Sequence, residues 1–180
     1  MLYYRGMSGH SKWSQIKRQK SITDNKRSGI FTKLSQNISL AAKKGKDPMM
    51  NPALRAAMDA ARDANMPKDN IAKAILRGTG ELPGQALEEV TYEGYGPGGV
   101  AMIVKCVTDN KNRTLSFVKT ALSKAGGKLT GPNSVAYLYQ NNNFITKIPL
   151  NSEGEQKLDN LIAELETSDD INNIITNAER

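Results

Sequence analysis

What this sequence has little of narrows its function first. It holds a single cysteine, Cys106, so neither an intrachain disulfide nor a thiolate zinc cluster can form. It holds a single histidine, His10, which removes His-rich metal sites and most His-based acid–base chemistry. Aromatics are 6% and apolar residues 38% of the 180 residues, so the core is aliphatic and modest. No apolar run approaches the ~20 residues needed to span a bilayer. No Gly-x-Ser-x-Gly nucleophile elbow occurs. The start, Met1 to Met7, is too short for a signal peptide, and Met7 is an alternative initiator.

Acidic residues are scarce in one half only. Residues 1–80 carry 16 Lys and Arg against 5 Asp and Glu, a net of +11. Residues 81–180 carry 9 against 13, a net of −4, so the overall +7 is gathered at one end. The first 46 residues hold 11 basic groups and one acid, Asp24. Such a cluster attracts polyanions, because each cation near a phosphate releases condensed counterions. The competing readings are a solvated face and an anionic membrane surface.

The hydrophobic pattern changes at the same place. Residues 21–45 predict one long helix, with Ile30, Phe31, Leu34, Ile38, Ala41 and Ala42 within an arc of ~120°. Lys26, Lys33 and Lys44 lie along its flank, and Arg27 falls inside the apolar arc, so the first turn should project beyond the core. Asn51-Pro52 predicts an N-cap and first helical residue, with Leu54, Ala57, Met58 and Ala61 inward. A third helix is expected from Pro67 to Arg77-Gly78. Residues 77–84 then hold three glycines and a proline, a linker. The expected organisation is a basic arm over 1–20, a helical domain over 21–80 and an α/β domain over 81–180.

Beyond the linker, Val90–Glu93 reads as a short extended segment and Tyr95–Gly99 as a turn. Val100–Val107 is apolar on both faces, the mark of a central strand. A helix over Asn110–Ala125 follows, closed by Gly126-Gly127. Alternating segments at Ser134–Gln140 and Phe144–Leu150 read as strands around Asn141–Asn143. Ser152 and Glu155 fit a capping box ahead of a helix through Leu165, and Ile171–Thr176 reads as a last strand. Strand, helix, strand, strand, helix, strand is the ferredoxin-like order, so the expected class is α+β, a three-helix domain followed by a βαββαβ sandwich.

Few residues invite catalysis. Cys106 sits in an apolar strand and reads as a packed small hydrophobe. Glu88-Glu89 and Asp169-Asp170 lie near element ends and read as solvated or capping groups. Tyr95–Gly99 lacks the Gly-Lys-Ser/Thr end of a phosphate loop and leads into a strand. Val135, Tyr137 and Tyr139 are either a packed set or a stacking platform. The expectation is no enzyme, no cofactor, no metal and no small-molecule substrate. His10, Lys12, Trp13, Lys17, Arg18, Lys20, Lys26, Arg27 and Lys33 are instead the candidate nucleic-acid contacts: cations for phosphate, with imidazole and indole able to stack on unpaired bases. Trp13 could equally staple the arm to the helices.

Several stretches carry a resemblance. They include Ser8–Trp13, Gly29–Lys33, Asn65–Asn70, Arg77–Gly80, Thr91–Gly99, Thr108–Asn110 with Asn112–Thr114, and Ser134–Ala136. In this order they are similar to the YebC/PmpR family of probable transcriptional regulatory proteins, which includes mitochondrial translational activators of cytochrome oxidase subunit one. The resemblance implies a non-enzymatic regulator of gene expression. Some members are described as DNA-binding transcription factors; others look like ribosome-associated factors that help particular nascent chains. Members usually carry a third α/β domain inserted within the second; it looks absent here, with Asn141–Asn143 at the insertion point.

A basic arm and helix without an evident base-reading face fit structured RNA better than sequence-specific DNA. The expected function is therefore an rRNA- or ribosome-associated translational regulator. The alternatives are a DNA-binding transcriptional regulator and a protein-interaction adaptor that uses the basic face. The expected location is the cytoplasm, with mitochondrion or another organelle as the alternative, and no membrane partner is expected. Oligomeric state is left open.

Overall fold

The computed structural model describes residues 27–82 and 86–179. Three helices come first: α1 over 27–42, α2 over Pro52–Asp63 and α3 over Lys68–Gly78. Local chemistry sets their ends. Asn51 caps α2 by accepting from the Leu54 N–H, and Pro52 occupies the first turn, where its missing N–H costs nothing. Pro67 stands at the N-cap of α3. Their shared core is Ile38, Ala42, Leu54, Ala61, Met66, Ile71 and Ala74, with Phe31 and Leu34 packed beside it. Small residues let the helices approach closely. At Gly78 a Cβ would stand 2.2 Å from the Ser39 carbonyl oxygen of α1, and Ser39 Oγ donates to the Ala74 carbonyl at 2.8 Å.

The remainder is a sheet with helices. Strands β1 (Glu88–Tyr95) and β2 (Ala101–Thr108) form a hairpin through a tight turn, in which Gly98 and Gly99 take φ of +68° and +76°. Helix α4 (Lys111–Lys124) leads to β3 (Lys128–Thr130). A small separate ladder follows, β4 (Tyr139–Gln140) with β5 (Asn143–Phe144), then α5 (Ser152–Glu166) and β6 (Ile171–Thr176). The main sheet runs β3-β1-β2-β6, every neighbour antiparallel.

Strand β2 is apolar on both faces because both are covered. Met102, Val104 and Cys106 pack against Val118 and Leu122 of α4 and Leu158, Leu161 and Leu165 of α5. Ala101 and Ile103 pack against Val135 and Phe144 on the other side. The α+β class, a central strand over 101–108 and both helices on one face match the sequence reading. The ferredoxin-like chain order does not. Residues 88–95 form a full central strand where only a short extended segment was expected. Residues 134–140 and 144–150 contribute no strand to the main sheet.

The cause is Glu93. Its carboxylate, on a residue only 6% exposed, accepts three backbone N–H groups, from Asn133 at 2.8 Å, Val135 at 2.6 Å and Ala136 at 2.8 Å. Those donors are spent on a side chain, so the alternating segment bends into a 3-10 turn over Ala136–Leu138 instead of extending. Tyr139 and Phe144 then meet edge to face, centroids 5.2 Å apart. At α5 the cap is Asn151 rather than the expected Ser152: its side chain accepts from Gly154 N–H at 2.8 Å.

Candidate nucleic-acid interface

Of the nine candidate contacts, His10, Lys12, Trp13, Lys17, Arg18, Lys20 and Lys26 lie outside the described residues. Arg27 and Lys33 lie on α1 and face different ways. Arg27 is exposed, and its guanidinium carbon stands 5.2 Å from the Phe31 ring centroid one turn on, a cation–π contact that holds the planar group at the surface. Ile30 beside it is 52% exposed, so this part of α1 projects past the core, while residues 21–26 of the expected helix lie outside the described residues. Lys33 is half-buried and lines a crevice of about 370 Å³ with Glu166 of α5 and with β6 residues including Asn172 and Ile174. Lys44 lies past the end of α1, in the following turn, so it does not continue a helical stripe.

The structure brings forward a second set that the sequence reading missed. Asn70, Lys73 and Arg77 lie along α3 at i, i+3 and i+7, on the flank of the buried Ala74, which lines the same groove. With Ser35 and Ser39 of α1 they line a groove of about 340 Å³ between the two helices. Lys73 and Arg77 make no ion pair among the described residues, and both are exposed. The Ser35 hydroxyl, the Asn70 amide and two cations in one groove match what a phosphate chain needs, donors with net positive charge, while the buried Ser39 hydroxyl is already bound to the Ala74 carbonyl. The signal was available: the polar face of α3 has the same period as its apolar face.

The cations of the α/β region are used differently. Arg113 Nη2 meets Asp170 Oδ1 and Oδ2, both at 2.8 Å, and Asp109 Oδ1 at 2.9 Å. Thr114 Oγ1 adds a bond to Asp170 Oδ2 at 2.8 Å. These bonds fix the turn before β6, and that turn receives α1. Gln36 Nε2 donates to the Asp169 carbonyl at 3.0 Å, and Asn172 Nδ2 donates to Asn37 Oδ1 at 2.7 Å. Lys43 Nζ donates to the Leu87 carbonyl nearby. Asp169-Asp170 is thus a docking element for the basic helix.

Cys106 is buried, and desolvation, helped by the charge of Asp170, pushes its thiol up to about 12. It remains a thiol at neutral pH and packs as a small hydrophobe. Val135 is buried while Tyr137 is 62% exposed, so the expected aromatic row is split between core and surface. Among the described residues no helix is long and apolar enough to cross a membrane.

Two family models match this chain. The model described as the TACO1/YebC protein N-terminal domain matches residues 11–81, and that of the TACO1/YebC second and third domain matches residues 87–149. A "Probable transcriptional regulatory protein" of Acidobacterium capsulatum is 51% identical over 92% of this chain and 67% of its own length. One from Dictyoglomus turgidum is 49% identical over 96% and 72%. A third, from Pelodictyon phaeoclathratiforme, is 49% identical over 88% of this chain but only 63% of its own length, so this chain spans about two thirds of such relatives. The crystal structure of a conserved hypothetical protein from Aquifex aeolicus superposes with a TM-score of 0.80 at 31% identity, covering 87% of this chain and 91% of that one. Helices, central hairpin and sequence thus agree, and the chain belongs to the TACO1/YebC family.

Proposed function

We propose that this protein is a non-enzymatic, nucleic-acid-binding regulator of gene expression that acts on structured RNA at the ribosome. The observation that carries the reading is the groove between α1 and α3, where Lys73 and Arg77 stand exposed beside Asn70, Ser35 and Ser39. Arg27 adds an exposed planar cation, and the basic residues Lys12, Lys17, Arg18, Lys20 and Lys26 precede it in the chain. His10 and Trp13 supply rings for unpaired bases. Backbone-directed cations without a base-reading cluster favour recognition of shape, which suits folded RNA. Its place would be the cytoplasm.

The test is a salt titration with ribosomal RNA. Wild-type affinity should fall steeply between 50 and 200 mM salt, as expected when ~6 or more phosphates are neutralised. Reversing the charge of Lys17, Arg18 and Lys20, or of Lys73 and Arg77, should weaken binding and flatten that slope. Affinity independent of salt would end this reading. On sucrose gradients, the protein should travel with ribosomes until RNase is added.

A second reading rests on the names of the relatives, "Probable transcriptional regulatory protein". It places duplex DNA in the same groove. Preference for particular promoter fragments over random duplex, with no gain on ribosomal RNA, would select it.

A further inference from the structure

The turn between α1 and α2 displays two methionines to solvent, Met49 at 77% and Met50 at 83% exposed. They are the most exposed of the large apolar side chains among the described residues. The turn is firmly built around them. Asp47 Oδ1 accepts from Met49 N–H at 2.8 Å, and the Asp47 carbonyl accepts from Asn51 N–H at 3.0 Å. Arg55 reaches back from α2 and donates through Nε to the Pro48 carbonyl and through Nη2 to the Met49 carbonyl, both at 3.0 Å. Asn51 Nδ2 ties the base of the turn to the Ala41 and Gly45 carbonyls at 2.8 Å each. Backbone groups are thus bound inward while the two thioethers project outward. A tip fixed in this way loses little entropy when something packs on it.

The charge around the tip selects its partner. Lys44 is exposed and makes no ion pair among the described residues. Arg55 uses two of its five N–H donors on the turn, which leaves the others for an anion. Lys46 pairs with Glu81 at 3.2 Å across an exposed contact that a phosphate can replace. The same contact sets the turn beside the end of α3, next to the groove that holds Arg77. An apolar tip inside a cationic rim is the arrangement by which proteins wedge a side chain between bases while gripping the flanking phosphates. Methionine suits the role, because its flexible, polarisable sulfur packs well on aromatic rings.

We propose that Met49 and Met50 form a wedge that inserts between, or packs on, unpaired bases of the nucleic acid held by the basic face. The wedge rests on the nucleic-acid reading above and adds the contact that would tell an irregular RNA from a regular duplex.

The probe is an RNA stem–loop with 2-aminopurine in an internal bulge, titrated at several salt concentrations. A fully paired DNA duplex and phosphatidylglycerol vesicles run in parallel. The variants are Met49→Ser with Met50→Ser, and Met49→Leu with Met50→Leu; both sites are solvent-exposed, so the fold is unaffected. The serine pair should weaken binding to the bulged RNA about tenfold at every salt concentration, ~1.4 kcal/mol. It should leave the salt slope unchanged and remove the 2-aminopurine response, while the leucine pair retains both. Wild-type affinity and fluorescence response in the serine pair would overturn the wedge and leave the salt-dependent reading standing. Methionine-dependent binding to vesicles but not to RNA would also overturn it. Failure of the wild type to bind RNA or DNA at low salt would remove both the wedge and the reading beneath it.

Discussion

Residues 27–82 and residues 86–179 handle their cations in opposite ways. The first stretch has ten Lys and Arg, and among the described residues only Lys46 and Arg62 pair with a carboxylate. The second has eight, and four of them pair: Lys111, Arg113, Lys124 and Lys157. The carboxylates are used alike in both. In the α/β region Glu93 and Asp170 bind backbone or Arg113 and hold loops in place. In the helical region Asp47 and Asp59 bind the turn and Arg62. The α/β region pairs half of its cations internally, and the Arg113–Asp170 contact builds part of its frame. The helical region leaves most of its cations without a carboxylate among the described residues, and the frame holds α1 through Gln36, Asn37 and Lys43.

The contrast is most severely strained by removing core from each side. Leu54 and Leu161 are essentially unexposed and belong to separate clusters. Each Leu→Ala change should cost ~2–5 kcal/mol. Because side-chain hydrogen bonds rather than a shared core join the two regions, calorimetry should show Leu54→Ala lowering one transition and Leu161→Ala another. A single transition moved equally by both would show that the two regions fold as one unit.

Glu93→Gln comes next. It removes the charge that three N–H groups share, and the loss should be ~2–3 kcal/mol by urea unfolding. The pH dependence has a definite sign. Burial pushes the Glu93 carboxyl up, but bonds from Val135, Ala136 and Asn133 outweigh it and hold it below the usual range. A carboxyl lowered by folding contributes stability above its unfolded value of ~4.3, and that stability is lost as pH falls through the folded value. Below about pH 4.5 the wild type should therefore lose stability faster than the glutamine variant.

A smaller effect separates the two cation populations. Lys73→Glu with Arg77→Glu should weaken RNA binding at least ~10-fold and reduce the salt slope by ~1.8, at unchanged thermal stability. The same double reversal at Lys119 and Lys128, exposed on the α/β region, should change binding much less. Equal losses would mean that net charge alone, and not the groove, attracts the nucleic acid. Smallest of all, Arg62→Ala removes an exposed pair with Asp59 and should move neither stability nor binding measurably.

Much of this molecule was legible where the signal is local. An N-cap such as Asn51 acts over three residues, and the bond to Leu54 N–H follows directly. The two-sided apolar run at Val100–Val107 marked a central strand because both its faces are covered. What failed depends on distant partners. Residues 134–140 alternate like a strand, yet Glu93, some 40 positions earlier, takes the Val135 and Ala136 N–H groups. Lys33 reads as a member of a basic stripe, yet the docking of β6 places it in a crevice.

The sequence alone determined the start of α2, the apolar faces, the gathering of positive charge at one end and the family, since caps, periodicity and charge are properties of neighbouring residues. Tertiary structure alone decided the order of strands, the burial of Glu93, and the meeting of Lys73 and Arg77 with Ser35 and Ser39. Those are pairings between segments far apart in the chain, where closing the loop costs entropy and only mutual fit in three dimensions selects the partner.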